Sequence, residues 1–200
     1  VENKKTVLIT GSSGGIGRAI SLKFAENGWD IVCHYANNRS GMLSLREQIK
    51  GFGARCDILK ADFSSKSELN RFLKKLAGFS IDCVINSAGT YSEKRHFKNL
   101  NSEDLLNVFI VNVFAPIMII SRVFGSMKAK RFGRIVNISS IAAKYGGGAF
   151  SLHYGCSKSA LEGITHTIAR EGAEYNVLVN TVRPGVIDTQ FHKKFPKNMR

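Results

Sequence analysis

A glycine-rich turn lies between the first apolar segment of the chain and the first amphipathic one. The apolar segment covers residues 6–10, the turn reads TGSSGGIG over residues 10–17, and a helical pattern continues as far as Gly28. Glycine permits a tight turn and a close approach of the backbone to a ligand, and the N-terminus of a helix presents free N–H groups to an anion. The order strand, turn, helix therefore predicts a binding site for the diphosphate of a nucleotide.

Short apolar segments alternate with amphipathic stretches along the chain, which predicts strands alternating with helices. The predicted strands are residues 6–10, 30–35, 55–60, 81–86, 134–139 and 177–182. The clearest predicted helices are residues 16–27, 41–52 and 67–77. Nearly continuous apolar segments such as TVLIT and CVIN are typical of a parallel sheet covered on both faces. We therefore expect one α/β domain over residues 1–200, a Rossmann-type, doubly wound parallel sheet in three layers.

The composition is that of a globular protein with an excess of positive charge. The four cysteines have no CxxC spacing, so we expect no metal site and a reducing, cytoplasmic location. No apolar segment is long and unbroken enough for a signal sequence or a membrane anchor. The net charge of +14 suits an anionic cofactor or an acidic partner. Because the basic residues are spread along the chain and accompany no nucleic-acid motif, a nucleic-acid partner is not expected.

Tyr154 and Lys158 are four residues apart in a stretch of helical character, residues 151–175, so both side chains lie on one helix face. A phenol with an ordinary pKa of about 10 is poorly suited to acid-base chemistry at neutral pH. A lysine ammonium about 4 Å away is worth roughly 4 kcal/mol to the phenolate, enough to lower its pKa by up to about three. The pair is therefore predicted to supply a general acid, Tyr154, and the cation that lowers its pKa, Lys158.

Seven motifs in this order resemble those of the classical branch of the short-chain dehydrogenase/reductase family, and together they span nearly the whole chain. They are the turn with Gly11, Gly15 and Gly17, then Asp62, NSAG at residues 86–89, Asn112, the pair Ser139 and Ser140, YGCSK at residues 154–158, and PGVIDT at residues 184–189. The resemblance implies a nicotinamide-dependent oxidoreductase that transfers a hydride between its cofactor and a small carbonyl or alcohol substrate.

The resemblance also implies roles for individual residues. Tyr154 would be the general acid of reduction, Ser140 would orient the substrate oxygen, and Lys158 would also hold ribose hydroxyls. Asn112 would hold a water for proton relay, the alternative being an asparagine that serves only its own helix. The residues implied to contact the cofactor, besides Tyr154 and Lys158, are Gly11, Ser13, Gly15, Ile16, Gly17, Asn37, Asn38, Arg39, Asp62, Phe63, Asn86, Ala88, Gly89, Pro184, Gly185, Ile187 and Thr189.

The end of the second predicted strand favours NADP(H), with NAD(H) as the alternative. An acidic residue at this point of the fold binds the ribose 2′-hydroxyl of NAD, and the segment HYANNRS, residues 34–40, contains none. Asn37, Asn38 and Arg39 stand there instead and suit a 2′-phosphate. The family's other mark of NADP, a basic residue before the second glycine, is absent because Gly14 occupies that position.

Within the family the chain most resembles 3-oxoacyl-(acyl-carrier-protein) reductases, in VCHYANN, KAKRFGRIVNISS and NTVRPGVIDT. The carrier protein is acidic, and Arg131 matches one of the arginines that the family uses to dock it, whereas Tyr175 stands at the position of the second. The interval from Ser140 to Tyr154 is one residue longer than is usual and contains three glycines, residues 146–148. An altered, mobile rim of the active site is therefore expected.

Two further expectations rest on the resemblance alone. The family has a last strand and a substrate loop beyond the position of Arg200, so both are expected to be missing from the chain as given, together with part of the substrate pocket. Family members commonly form dimers or tetramers through the helices that carry Asn112 and Tyr154. The apolar residues 108–120 would suit such an interface, which implies a homodimer or homotetramer.

Several other functions are open alternatives. A sugar or polyol dehydrogenase would use the same residues on another substrate. A sugar-nucleotide epimerase or dehydratase of the extended branch shares the YxxxK chemistry, although its turn is usually TGxxGxxG. A nucleotide-binding regulator without catalysis would have no need of Ser140, Tyr154 and Lys158. A basic scaffold for nucleic acid would be revealed by its binding to a duplex at low salt.

Overall fold

Six parallel strands form the central sheet of residues 4–91 and 95–189, the parts of the chain that a computed structural model describes. The strands are β1 (Thr6–Ile9), β2 (Asp30–Tyr35), β3 (Cys56–Lys60), β4 (Cys83–Asn86), β5 (Gly133–Ile138) and β6 (Val177–Val182). They lie in the order β3-β2-β1-β4-β5-β6, and every neighbouring pair is parallel. The predicted doubly wound sheet is confirmed, with strand ends within two residues of those expected.

Helices cover both faces of the sheet and give the predicted three layers. They are α1 (Gly15–Glu26), α2 (Arg39–Gly51), α3 (Lys66–Leu76), α4 (Ser102–Phe109), α5 (Ala115–Lys130), α6 (Ala142–Tyr145) and α7 (Leu152–Ala173). Val7 and Ile9 of β1 pack with α1 and α2 on one face, whereas Leu8 packs with α3 and α5 on the other. Side chains of β1 therefore enter both cores, which explains why Val7, Leu8 and Ile9 are all apolar although they alternate between the two faces.

The strand order reverses at β1. The chain runs outward from β1 to β2 and β3, and then returns to β4 on the other side of β1. The loops that leave the carboxyl ends of β1 and β4 therefore diverge, and they leave a crevice between them. The loop after β1 is the glycine turn and the loop after β4 begins NSAG, so two motifs that are distant in sequence meet at one edge of the sheet.

The segments α4 and α5 are joined by a π-helical turn (Ile110–Phe114) into one helical stretch, Ser102–Lys130. By length and composition alone, this stretch could cross a membrane. Its side chains Ile119, Ile120 and Val123 are buried against the sheet. Packing within the domain therefore accounts for the apolar character of one side of this stretch.

Candidate active site

The glycine turn crosses from β1 to α1 in a conformation that requires glycine. Gly11 and Gly15 have φ angles of +69° and +54°, which L side chains rarely adopt. A Cβ on Gly17 would lie 2.4 Å from the carbonyl oxygen of Gly11, so α1 packs where only a hydrogen atom fits. The N-cap of α1 is Gly14, which has no side chain to bind the first N–H groups. These N–H groups are thus available to an anion.

Thr10 holds the glycine turn against the loop after β4. Its hydroxyl oxygen accepts hydrogen bonds from the backbone N–H groups of Ser87 (3.0 Å) and Ala88 (2.9 Å). A Cβ on Gly11 would lie 3.0 Å from the backbone of Ala88, which is closer than ordinary van der Waals contact. The close approach of these two loops closes one side of a cleft.

The cleft has a volume of about 390 Å³ and lies at the carboxyl edge of the sheet. Predicted site residues that line it are Gly11, Ser13, Gly15, Ile16, Asn38, Ala88, Gly89, Ser140, Tyr154, Lys158, Pro184, Gly185, Ile187 and Thr189. The structure therefore brings the glycine turn, the catalytic candidates and the PGVIDT segment together. Predicted site residues outside its lining are Gly17, Asn37, Arg39, Asp62, Phe63, Asn86 and Asn112.

Tyr154 and Ser140 both line the cleft, and their side chains are hydrogen-bonded to each other. Tyr154 lies in the first turn of α7, and Ser140 follows β5. The Ser140 hydroxyl accepts a hydrogen bond from the N–H of Ala142 at 3.1 Å, which helps to fix its orientation. Burial raises the pKa of Tyr154 above its ordinary value, and a hydrogen bond with Ser140 acts in the opposite direction. The phenol is thus protonated at neutral pH and able to donate a proton.

Lys158 lies one helical turn after Tyr154 and is only 4% exposed. Its Nζ donates to the carbonyl oxygen of Ile138 at 2.8 Å and lies 5.8 Å from the centre of the Tyr154 ring. Burial lowers the pKa of Lys158 to about 8 because a buried ammonium loses its hydration. Lys158 was expected to lower the pKa of Tyr154. In the protein without cofactor that pKa is raised instead, because the cost of burying the phenolate outweighs the opposing hydrogen bond with Ser140.

Asn112 lies in the π-helical turn and is fully buried. Its Oδ1 accepts from the N–H of Thr90 at 2.8 Å, and its Nδ2 donates to the Thr90 carbonyl at 2.7 Å and to the Ser157 hydroxyl at 2.9 Å. These bonds tie the loop after β4 to α7, and π-helical turns are frequent at functional sites. The Asn112 side chain thus fixes Thr90, which lines the cleft, against α7, and its implied role in a proton relay stays a prediction.

The start of α2 forms the side of the site expected to hold the 2′-phosphate. The Asn38 side chain caps α2 by accepting from the N–H of Gly41 at 3.0 Å, and it donates to the carbonyl of Ser13 at 3.0 Å. It thereby connects α2 to the glycine turn. Asn37 and Arg39 are exposed next to it and contribute no atoms to the lining of the cleft.

Three residues that were predicted to contact the cofactor have side chains that pack or form hydrogen bonds within the protein instead. The Phe63 ring is 3% exposed and packs in the core, and the buried Asn86 amide donates to Asn137 Oδ1 at 2.8 Å. Both residues are buried and neither lines the cleft, so their side chains are not exposed to a ligand there. Asp62 is half-buried, and its carboxylate accepts from the N–H and the hydroxyl of Ser64. The partners of Phe63 and Asn86 come from other strands and are not visible in a linear motif, whereas Ser64 lies only two residues from Asp62.

An ion pair between Glu162 and Arg183 lies near the catalytic candidates and was not predicted from the sequence. Glu162 Oε1 accepts from the Ser139 hydroxyl and from Arg183 Nε, both at 2.7 Å. The nearby arginine lowers the pKa of the Glu162 carboxyl. Arg183 directly precedes the PGVIDT segment, so the pair connects that segment to α7. The available signal was that Glu162 follows Lys158 by four residues and shares its helix face.

Comparison with known proteins agrees with this geometry. The family model described as short chain dehydrogenase matches residues 5–200. The L-rhamnose 1-dehydrogenase (NADP(+)) of Thermoplasma acidophilum is 37% identical over 194 residues, 95% of this chain and 75% of that protein. A 3-oxoacyl-(acyl-carrier-protein) reductase of Staphylococcus epidermidis is 30% identical over 187 residues, 92% of this chain and 75% of that protein. The NADP-bound crystal structure of a 3-oxoacyl (acyl-carrier-protein) reductase from Agrobacterium tumefaciens C58 superposes with a TM-score of 0.87 at 26% identity, covering 95% of this chain and 73% of that one.

The fold and the cleft together define a Rossmann-type oxidoreductase. The chain belongs to the short-chain dehydrogenase/reductase family. The predicted resemblance to that family, and within it to 3-oxoacyl-(acyl-carrier-protein) reductases, is confirmed.

Proposed function

We propose that the protein is an NADP(H)-dependent carbonyl reductase or alcohol dehydrogenase in which Tyr154 is the general acid of the reduction. The observation that carries this proposal is the convergence of Ser140, Tyr154 and Lys158 in the cleft that the glycine turn borders. A protein that only bound a nucleotide would gain nothing from a largely buried phenol beside a serine hydroxyl and a buried lysine. The arrangement thus argues against the regulator without catalysis.

The three side chains would each perform one part of a carbonyl reduction. Ser140 binds and orients the substrate oxygen, and Tyr154 donates a proton to that oxygen as negative charge develops on it. Lys158 supplies positive charge near the phenolate that is left. The cofactor, when bound, supplies the hydride. Because burial keeps Tyr154 protonated, the protein at neutral pH is in the form that reduction requires.

The residues around the glycine turn fit a dinucleotide. The positive φ angles of Gly11 and Gly15 remove side chains from the surface that a diphosphate would approach. The uncapped start of α1 offers N–H groups to the same diphosphate. A Cβ on Gly15 would lie 3.4 Å from Thr189, so the PGVIDT segment closes over the turn from the opposite side. Its residues Ile187 and Thr189 are proposed to hold the nicotinamide carboxamide.

The start of α2 favours NADP(H) over NAD(H). Residues 34–40 contain no carboxylate to bind a ribose 2′-hydroxyl, whereas the exposed Arg39 offers a guanidinium to a 2′-phosphate. Asn38 would hold this segment in place through its bond to Ser13. The relative from Thermoplasma is named for NADP(+), and the reductase from Agrobacterium was solved with NADP bound, which supports the same preference.

For the substrate, we propose a 3-oxoacyl thioester, with the acyl carrier protein as the partner that delivers it. The resemblance to 3-oxoacyl-(acyl-carrier-protein) reductases supports this class. Arg131, at the first docking position, is exposed. Tyr175 stands at the second docking position, and Lys128 Nζ lies 4.0 Å from the centre of the Tyr175 ring. Arg131 thus supplies positive charge where an acidic carrier would dock, whereas Lys128 is paired with Glu171 at 2.8 Å. A sugar substrate is the second candidate, favoured by the 37% identity to the rhamnose dehydrogenase.

The proposed function is tested with three substrates by following the absorbance of NADPH. Its oxidation is measured with an acetoacetyl thioester and with an acetoacetyl carrier protein, and its formation from NADP(+) is measured with L-rhamnose. We expect turnover with at least one class, and NADPH used at least about tenfold more efficiently than NADH, the factor that one charge-assisted hydrogen bond supplies. Arg39→Ala is expected to raise the KM for NADPH by about the same factor and to leave that for NADH unchanged.

The matched control for this experiment is Arg71→Ala, which removes an exposed arginine of α3 and should change neither KM. Equal efficiency with NADPH and NADH, unaltered by Arg39→Ala, would refute the cofactor preference. Tight NADPH binding without turnover on any of these substrate classes would favour the regulator without catalysis.

The exposed side of the stretch Ser102–Lys130 is proposed to form a homodimer or homotetramer interface. Large apolar side chains there are substantially exposed: Leu106, Phe114, Ile117 and Met118. Such a row is typical of a protein interface. Light scattering should give two or four times the chain mass, and Met118→Asp should lower it, whereas Leu43→Asp on α2 should not. A wild-type mass equal to one chain at micromolar concentration would contradict the proposal.

A further inference from the structure

His34 lies near the end of β2, between the glycine turn and the end of β3, and is 2% exposed. Its ring Nδ1 is 3.2 Å from the backbone nitrogen of Gly11, and its Nε2 is 2.9 Å from the carbonyl oxygen of Ala61. The first contact is made to the turn proposed to bind the diphosphate. The second is made to the residue before Asp62, which the family resemblance assigns to adenine.

One neutral tautomer satisfies both hydrogen bonds. The carbonyl of Ala61 can only accept, so Nε2 carries the proton, and Nδ1 then accepts from the N–H of Gly11. The backbone carbonyl of His34 also accepts from the N–H of Ser12 at 2.9 Å. This residue therefore orients two successive amides of the glycine turn.

Aromatic packing holds the ring in the position that these bonds require. Phe63 stacks on it with ring centres 4.0 Å apart and planes 5° apart, and Phe72 meets it edge to face at 5.2 Å. Burial lowers the pKa of His34 to about 4, against smaller opposing effects of the hydrogen bond with Ala61 and of the Asp62 charge. The ring is thus neutral at physiological pH, and Nδ1 remains an acceptor.

We propose that His34 is a positioning residue for the cofactor, which sets the glycine turn and the adenine side of the site at one fixed separation. The inference rests on the proposed dinucleotide function. No atom of His34 lines the cleft, so it acts through Gly11 and Ala61 and not by contact with a ligand. Without the ring, the half-buried N–H of Gly11 would lose its acceptor, and the two halves of the adenosine site could move apart.

The test measures NADPH affinity directly, by calorimetry, beside kcat and KM. His34→Phe keeps an aromatic ring and removes both bonds, so we expect the Kd and KM for NADPH to rise about 10- to 100-fold. We expect kcat at saturating NADPH to fall less than about threefold, because the catalytic side chains belong to β5 and α7. Leu76→Ala, a core truncation at the far end of α3, is the control and should lower Tm without changing the Kd.

Two further variants separate the two hydrogen bonds. In His34→Asn the amide oxygen can replace Nδ1 as the acceptor for Gly11, whereas in His34→Gln the amide nitrogen can replace Nε2 as the donor to Ala61. We expect the asparagine variant to recover most of the NADPH affinity and the glutamine variant to recover less. This comparison remains informative if the phenylalanine variant fails to fold.

Wild-type affinity in His34→Phe, or wild-type affinity in both the asparagine and the glutamine variants, would overturn the proposed positioning role. The same would follow if the loss appeared in kcat and Tm with no change in Kd, because that pattern indicates a structural role only. Absence of NADPH binding by the wild type would instead refute the proposed cofactor, so the two failures are distinguishable.

Discussion

Tyr154→Phe is expected to lower kcat for carbonyl reduction by about 10²- to 10⁴-fold, the range that a positioned general acid supplies. The substitution removes only the hydroxyl, so the ring still packs beside Lys158 and the cleft keeps its shape. The KM for NADPH and the Tm should therefore change little. The measurement is steady-state NADPH oxidation with the best substrate of the wild type, together with a binding titration of NADPH.

A matched control is available in Tyr175→Phe, which removes a phenol hydroxyl near the start of β6, remote from Ser140. Its kcat is expected to stay within about twofold of the wild-type value, as is usual for a surface change away from the chemistry. Turnover that survived Tyr154→Phe unchanged would remove this residue from the proton transfer. Catalysis would then have to depend on Ser140 or on an ordered water.

Gly17→Ala is expected to abolish tight cofactor binding and to destabilise the fold. The added Cβ would lie 2.4 Å from the carbonyl oxygen of Gly11 and 2.8 Å from its carbonyl carbon, distances that no real Cβ shows. The turn must therefore move away from α1, at a cost of about 1–3 kcal/mol in the free energy of unfolding. Movement of this turn also displaces the N–H groups proposed to bind the diphosphate. We expect the Kd for NADPH to rise by about 100-fold or more.

The control for this variant is Gly51→Ala at the end of α2, where an added Cβ meets nothing within 4 Å. It should leave the NADPH Kd unchanged and the Tm equal or slightly higher, because alanine lowers the entropy of the unfolded chain. Calorimetric titration with NADPH and thermal unfolding measure both effects. Wild-type affinity in Gly17→Ala would contradict the assigned packing of the turn against α1.

The local parts of the site could be predicted from sequence because each depends on a short segment. Val7, Leu8 and Ile9 are consecutive apolar residues, as a strand buried on both faces requires, and the structure confirms β1 there. The spacing of Tyr154 and Lys158 placed both side chains on one helix face, and both line the cleft. Gly11 and Gly15 have positive φ angles, which glycine adopts more readily than any other residue.

Partners from distant strands could not be predicted in the same way. Phe63 and Asn86 belong to motifs implied to contact the cofactor, yet their side chains pack on His34 and Asn137. Lys158 was expected to lower the pKa of its tyrosine, whereas its Nζ binds the carbonyl of Ile138 and burial has the larger effect. These outcomes depend on which strands are neighbours and on how deeply each group is buried.

The sequence by itself determined the alternation of strands and helices, the glycine turn and the candidate acid-base pair, because these features depend on backbone preference and on side-chain periodicity within one segment. The tertiary structure decided which segments meet. The strand order β3-β2-β1-β4-β5-β6 places Gly11 beside Ala88 and positions His34 between the turn and Ala61. Such contacts join residues far apart in sequence, and they form only when the reversal of the sheet at β1 brings the carboxyl ends of its strands to one edge.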